Sequence, residues 1–212
     1  KNLKKKLVWF HAASIGEFKS IVPLIKKMNE KNEFEFLITT VTLSSSQIIF
    51  NEFFNQKNIY HRFLPIDKPS LIKSFLDNWS PNLTLFVDSE IWPNFLLEIK
   101  KRNIPLVLLN GRITQKTYLR WKLISKFAEK IFQSFSLCLP SSNESMKYLD
   151  LLKINNIKYI GNLKLTYEVK LDNLHEENKK ILENKKFWCA VSIHKKEDIF
   201  CLNTHIKIKE SH

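Results

Sequence analysis

The stretch His11-Ala-Ala-Ser-Ile-Gly-Glu17 puts a carboxylate directly after a glycine, at the end of the apolar run Leu7-Val-Trp-Phe10. A glutamate at such a turn has two uses. It can take part in catalysis, or it can stabilise the first turn of a helix through the dipole. Spacing leaves both open. The chain has only three glycines in 212 residues, and the other two also follow apolar runs: Gly111 precedes Arg112, and Gly161 precedes Asn162-Leu-Lys164. Glycine there permits a tight turn or a close backbone approach to a ligand. Arg112 can grip a phosphate or carboxylate with two N–H groups, or pair with a structural Asp. Lys164 can face an anion or serve as a solvated loop lysine.

A further stretch, Asp88-Ser-Glu-Ile-Trp-Pro-Asn94, sets two acids after Leu83-Thr-Leu-Phe-Val87. Two acids alone do not make a metal site, and no metal is expected. The plainer alternative is a helix N-terminal acid with Trp92 packed below it. His11 continues its strand and reads as a core histidine. Ser14-Ile-Gly-Glu17 lacks the Gly-x-Gly-x-x-Gly of dinucleotide sites and the Gly-Lys-Ser/Thr of a phosphate loop, which removes the main support for NAD or nucleoside-triphosphate binding.

These residues must be positioned by the elements around them. Strands are expected at Leu7–His11, Phe34–Thr39, His61–Leu64, Leu83–Val87, Pro105–Leu109, Ser136–Leu139, Lys158–Ile160 and Trp188–Ser192. Several are apolar throughout, as strands covered on both faces are. Between them, Ile21, Leu24, Ile25 and Met28 form a helical stripe. Further helices are expected at Ser44–Phe54, Pro69–Trp79, Pro93–Arg102, Thr114–Phe135 and Asn143–Leu152, with Pro69 and Pro93 in first-turn positions. The alternation implies a doubly wound α/β fold with a parallel sheet. The polar stretch from 166 to 185 reads as a linker after a domain spanning 1–165, and 186–212 as the start of a second.

Hydrophobic residues make up 44% and include 16 Phe, enough for a core and against disorder. The net charge of +13 favours anionic partners: nucleic acid, acidic lipid or a phosphorylated substrate. Cys138, Cys189 and Cys201 form neither a CxxC pair nor a zinc spacing. Cys138 and Cys189, in apolar runs, are expected as buried thiols in a reducing compartment. No apolar run is long enough to span a bilayer. In Thr114–Phe135, Leu119, Leu123, Phe127 and Ile131 line one face, with Arg120, Lys122, Lys126 and Lys130 beside them. The first reading is a core helix with a solvated basic face; the other is contact with anionic lipid.

Several of these stretches, in order, carry a resemblance. Val8-Trp-Phe-His-Ala-Ala-Ser-Ile-Gly-Glu17, Leu37-Ile-Thr-Thr-Val-Thr42 with Ser44–Ser46, and His61-Arg-Phe-Leu-Pro-Ile-Asp67 come first. Asp88–Asn94, Leu109-Asn-Gly-Arg-Ile113, Gly161–Lys164 and Val191-Ser-Ile-His194 with Glu197 follow. Together they resemble the Kdo (3-deoxy-D-manno-octulosonic acid) transferases of lipopolysaccharide synthesis. The resemblance implies a GT-B architecture: a Rossmann-like first domain that receives the lipid A acceptor, then a second Rossmann-like domain that holds CMP-Kdo. The family's membrane anchor and its later Pro-Arg-His and Gly-Gly-His-Asn-type motifs are missing, so the chain reads as an N-terminal-domain fragment.

The implied reaction moves Kdo from CMP-Kdo to a hydroxyl of a lipid A precursor (lipid IVA), with inversion at the anomeric carbon. By resemblance Glu17 is the general base, and Glu90 and Lys164 stabilise the transition state. Ser14, Gly16, Arg112, Asn162, Ser192 and His194 are the implied substrate-binding positions, with Gly16 letting the turn bring Glu17 close to the sugar. No cofactor is implied beyond the donor substrate. The implied setting is the cytoplasmic face of a bacterial inner membrane, peripheral or anchored through a segment before Lys1, with membrane contact and no nucleic-acid partner. Two other readings remain: a basic nucleic-acid-binding α/β protein, without a recognisable motif, and a GT-B transferase using another sugar nucleotide.

Overall fold

The computed structural model describes residues 5–166, 180, 183 and 187–211. The chain divides into two units, 1–168 and 169–212.

The first unit alternates strand and helix. Strands are β1 (Lys6–His11), β2 (Phe34–Thr40), β3 (Ile59–Phe63), β4 (Leu83–Val87), β5 (Leu106–Gly111) and β6 (Leu137–Pro140). Helices are α1 (Ile15–Asn29), α2 (Leu43–Glu52), α3 (Pro69–Trp79), α4 (Pro93–Lys101), α5 (Gln115–Lys122), α6 (Ser125–Phe132) and α7 (Asn143–Leu151), and Leu163–Thr166 forms a 3-10 turn. All paired strands are parallel, in the order β3-β2-β1-β4-β5-β6. This is the doubly wound arrangement, and its strand order reverses between β1 and β4.

Two apolar layers explain why the strands are apolar throughout. On one face, Leu7, Trp9, Phe86 and Leu108 pack with Ile72 and Leu76 of α3, Phe95 and Leu96 of α4, and Ile131 of α6. On the other, Val8, Phe10, Phe36 and Ile38 pack with Phe18, Ile21 and Ile25 of α1 and Ile49 of α2. Successive side chains of a strand point to opposite faces, so both faces of β1 are covered. Pro69 and Pro93 open α3 and α4 from their first turns.

Five expectations need correction. Thr114–Phe135 is two helices, broken at Leu123 and Ile124, where Ile124 leaves helical geometry. Trp121 folds back edge-on against Phe132, ring centroids 5.2 Å apart. The supposed core stripe does not exist: Leu119, Leu123 and Phe127 are exposed, and only Ile131 is buried. Lys158–Ile160 is no strand, because pairing stops at an isolated bridge between Ile157 and Cys138. Residues 188–192 form no strand either, and among the described residues they have no ladder partner. Cys189 is exposed; Cys138 is buried, and burial pushes its thiol up to about 12. The linker expected over 166–185 lies largely outside the described residues.

In the second unit the described helix is α8 (Glu197–Ser211). Glu197 reaches back to accept the His194 N–H at 2.8 Å.

Each glycine has its own explanation. Gly161 sits at φ +99°, a backbone region that other residues enter at a cost. Gly111 is a packing requirement: a Cβ there would lie 2.7 Å from Leu108 Cδ2 and 3.5 Å from Leu149 Cδ1. Leu108 is fully buried and has no room to yield. Gly111→Ala is therefore expected to destabilise the domain by about 1–3 kcal/mol, read as a lower melting temperature. Gly16 corrects the expectation made for it. It lies inside α1, and a Cβ would meet nothing within 4 Å. The turn that presents Glu17 does not need a glycine; hydrogen bonding from Ser14 and Ala13 does that work.

Candidate active site

β1 and β4 are neighbours in the sheet, with His11 level with Phe86. The turns leaving their C-terminal ends therefore meet where the strand order reverses, the usual ligand position in open α/β sheets. The first turn carries Glu17 and the second Asp88 and Glu90.

Ser14 is the N-cap of α1. Its hydroxyl accepts the Glu17 N–H at 3.3 Å and donates to Glu17 Oε1 at 3.0 Å. Glu17 Oε2 accepts the Ala13 N–H at 2.7 Å. This is a variant of the reciprocal cap in which Ser and Glu three apart satisfy the free N–H groups of a helix start. The helix-stabilising role of Glu17 is thus real. It does not exhaust the residue, because among the described residues no cation pairs with it. Burial pushes the Glu17 carboxyl above its ordinary value, and repulsion from Glu90 and Asp88 adds to this against the Ala13 and Ser14 hydrogen bonds.

Glu90 moves the other way. Burial alone would raise it, but hydrogen bonds from His11 and Trp92 and the field of His11 outweigh that and lower it. Trp92 Nε1–H donates to Glu90 Oε2 at 2.7 Å, and His11 Nε2 lies 3.2 Å from the same oxygen. Trp92 is a hydrogen-bond partner, not merely packing. Nor does Glu90 cap α4. Asp67 does so, accepting the Phe95 N–H at 3.1 Å and the Asn94 N–H at 3.3 Å. Two carboxylates with oppositely shifted pKa values share the site, a pattern that separates a base from a permanently charged group.

Asp88 lies buried at φ +61°. Its N–H donates to Leu109 O at 2.9 Å and its carbonyl accepts the Arg112 N–H at 3.1 Å, so β5 pins this strained residue. Its carboxylate binds Lys164 Nζ at 2.7 Å. Lys164 arrives on the 3-10 turn, which docks through Leu163 N–H on the Asn110 side chain at 3.1 Å. Asn162 accepts the Lys164 N–H at 2.9 Å, so its side chain shapes this turn. The Asp88 and Glu90 carboxylates go to different partners, Lys164 and His11, which is not how a shared cation would be held. Among the described residues no group of three His, Cys, Asp or Glu is arranged for a metal.

Arg112 is exposed and pairs with no acid among the described residues. It borders a cleft of about 300 Å³ shared with Asp88, Asn110, Ser142, Asn162 and Lys164. Ser14, Gly16, Glu17, Glu90, Arg112, Asn162 and Lys164 thus gather at the C-terminal end of one sheet. Ser192 and His194 lie in the second unit, in the loop before α8, with Ser192 at φ +58°. The sequence reading missed Asp67, Asp88 and His11 as working parts. The only signal for Asp88 was its place after an apolar strand; for His11 there was none.

Fold and site together define a GT-B-type α/β domain. A solved UDP-N-acetylglucosamine 2-epimerase superposes with TM-score 0.61, 14% identity, and coverage of 86% of this chain and 53% of its own. The UDP-N-acetylglucosamine 2-epimerase of Rickettsia bellii gives 0.52, 12% identity, and 77% and 46% coverage. Those likenesses concern the fold alone. The family model described as 3-deoxy-D-manno-octulosonic-acid transferase (kdotransferase) matches residues 1–167. The chain belongs to that glycosyltransferase family. It is 32% identical to the 3-deoxy-D-manno-octulosonic acid transferase of Rickettsia felis over 97% of its length and 44% of the relative's. For the Rickettsia bellii enzyme of the same name the values are 34%, 91% and 46%, and for that of Haemophilus influenzae 29%, 93% and 47%. The chain spans about half the length of the curated relatives it matches.

Proposed function

We propose that this chain is the acceptor-side half of an inverting transferase that moves Kdo from CMP-Kdo to a hydroxyl of a lipid A precursor, lipid IVA. The observation that carries the reading is the pair Glu17 and Glu90, on the two turns that leave β1 and β4 where the strand order reverses and within reach of each other's charge, one raised and the other lowered from the ordinary carboxyl value. Glu17 takes the acceptor hydroxyl proton as the new bond to the anomeric carbon forms. Inversion requires such a base opposite the leaving group, as in inverting glycoside hydrolysis. Glu90, kept anionic, suits the positive charge that develops on the sugar ring, and Lys164, fixed by Asp88, suits the negative charge on the departing CMP. Arg112 and Asn162 line the cleft for an anionic group of a substrate. Ser14 steadies the base, and Ser192 and His194 serve the donor side. The scheme uses no cofactor and no metal.

The deciding experiment offers the intact enzyme CMP-Kdo and a panel of UDP-sugars, with lipid IVA as acceptor. Transfer from CMP-Kdo alone supports the proposal; transfer only from a UDP-sugar replaces it with the reading as another GT-B enzyme.

The acceptor lies in a bilayer, so the domain works at the cytoplasmic face of the inner membrane. Among the described residues no helix is long and apolar enough to cross it. A surface suited to contact is α5–α6, where Leu123 is 85% exposed and Leu119 and Phe127 also face outward beside Arg120, Lys122 and Lys126. Each basic residue near an anionic leaflet contributes about 1 kcal/mol. Leu123→Glu is expected to weaken co-sedimentation with vesicles containing anionic lipid several-fold, without changing the melting temperature. Equal sedimentation would exclude this surface.

A further inference from the structure

His11 is fully buried at the end of β1, yet apolar packing is not what its ring is used for. Both nitrogens are engaged. Nδ1 lies 3.0 Å from Thr39 Oγ1 and 3.2 Å from Thr39 O. Nε2 lies 3.2 Å from Glu90 Oε2. Thr39 Oγ1 in turn accepts the Trp9 indole N–H at 2.9 Å, and Phe86 meets the ring edge-on with centroids 5.2 Å apart. The chain Trp9–Thr39–His11–Glu90 therefore runs out of the core and ends on a carboxylate of the site.

Proton counting fixes the direction. An ionised carboxylate only accepts, so Nε2 carries a proton toward Glu90. Nδ1 then accepts from the Thr39 hydroxyl in the neutral ring, or donates to the Thr39 carbonyl in the charged one. In both cases the bond at Nδ1 sets the ring's orientation and what Nε2 can do. His11 and Trp92 share Oε2; Oε1 has no partner among the described residues.

We infer that His11 is a positioning residue for transfer: its Nε2–H holds Glu90 with Oε2 against the protein and Oε1 free for the substrate. The inference rests on the role proposed for Glu90. Among the described residues the titratable groups whose charge acts with Glu90 are His11 from β1 and Glu17 from α1, and His11 works against the effect of burial on it.

The test uses the intact enzyme and three variants. His11→Gln keeps an N–H near the Nε2 position. His11→Asn keeps one near Nδ1, within reach of Thr39 and out of reach of Glu90. His11→Phe keeps neither. Two readouts are taken: kcat and KM for transfer, and the titration of the Glu90 carboxyl by ¹³C NMR. Loss of one charge-assisted hydrogen bond corresponds to about a ten- to hundredfold fall in kcat. That fall is expected for the Asn and Phe variants, with KM nearly unchanged and the Glu90 titration moved upward. The Gln variant is expected to stay near wild type in both. Should the Phe variant not fold, the Asn variant decides. Identical Glu90 titration in wild type and His11→Asn overturns the inference, and so does a Gln variant as impaired as Asn. If the wild type transfers no Kdo, the proposed function fails, while the titration still tests the hold of His11 on Glu90.

Discussion

Glu17→Gln is expected to lower Kdo transfer by about 10²–10⁴-fold, the usual worth of a positioned proton acceptor, while leaving the domain folded. The amide keeps the shape of the carboxylate and can still accept from Ala13 N–H, one of the bonds that anchor the residue. It cannot take a proton. The stability prediction follows from linkage. The folded protein raises the Glu17 pKa, so this group's contribution to stability is present at low pH and is lost as pH rises through the folded pKa. At neutral pH that contribution is absent, and the isosteric amide is expected to leave the melting temperature nearly unchanged. The same shift sets the pH profile. Activity needs Glu17 ionised, so kcat/KM in the wild type rises with pH on a limb set by a carboxyl that burial holds above its ordinary value. Glu90 is lowered and is already ionised there; its own stabilising contribution disappears only in stronger acid, as pH falls through its folded pKa. Undiminished transfer by Glu17→Gln would remove the base from the scheme.

Lys164→Met is expected to cost about 10²–10³-fold in kcat, comparable to losing one preorganised charge-stabilising donor. A second effect has to be separated from the first. Asp88 is buried and its carboxylate is paired with Lys164, so removing the lysine leaves a charge without its partner, at about 1–3 kcal/mol. The double variant Asp88→Asn with Lys164→Met resolves this. It removes the stranded charge and should recover much of the melting temperature, but not the activity, because the ammonium is still missing. Activity returning along with stability would reduce Lys164 to a structural tie for the turn at Leu163–Thr166.

Several parts of this arrangement were legible in the residues. Glu17 after an apolar strand reads as a first-turn helix acid, and it lies in the first turn of α1. Pro69 and Pro93 mark the starts of α3 and α4. The apolar runs around Trp9, Ile38 and Phe86 read as strands covered on both faces, and they are. Where the reading failed, a local pattern was given a long-range meaning. The stripe from Leu119 to Ile131 has helical spacing, but the helix breaks at Leu123 and most of the stripe faces outward. Gly16 was assigned a turn that capping already provides.

By itself the sequence determined the six paired strands and most of the helices of the first unit, because period, caps and prolines act within a few residues. It also determined which residue types could do chemistry after β1, after β4 and after Gly161. Only the tertiary structure decided that these places are one place. β1 lies beside β4 although β2 and β3 intervene in the chain, so His11 meets Glu90 across 79 residues. The turn bearing Lys164 crosses to Asp88 across 76. The physical reason is that strand order is set by burying both faces of the sheet under helices, a property of the packed whole. Neither the strength of Glu90 as an acid nor the purpose of His11 exists until that packing has brought the two together.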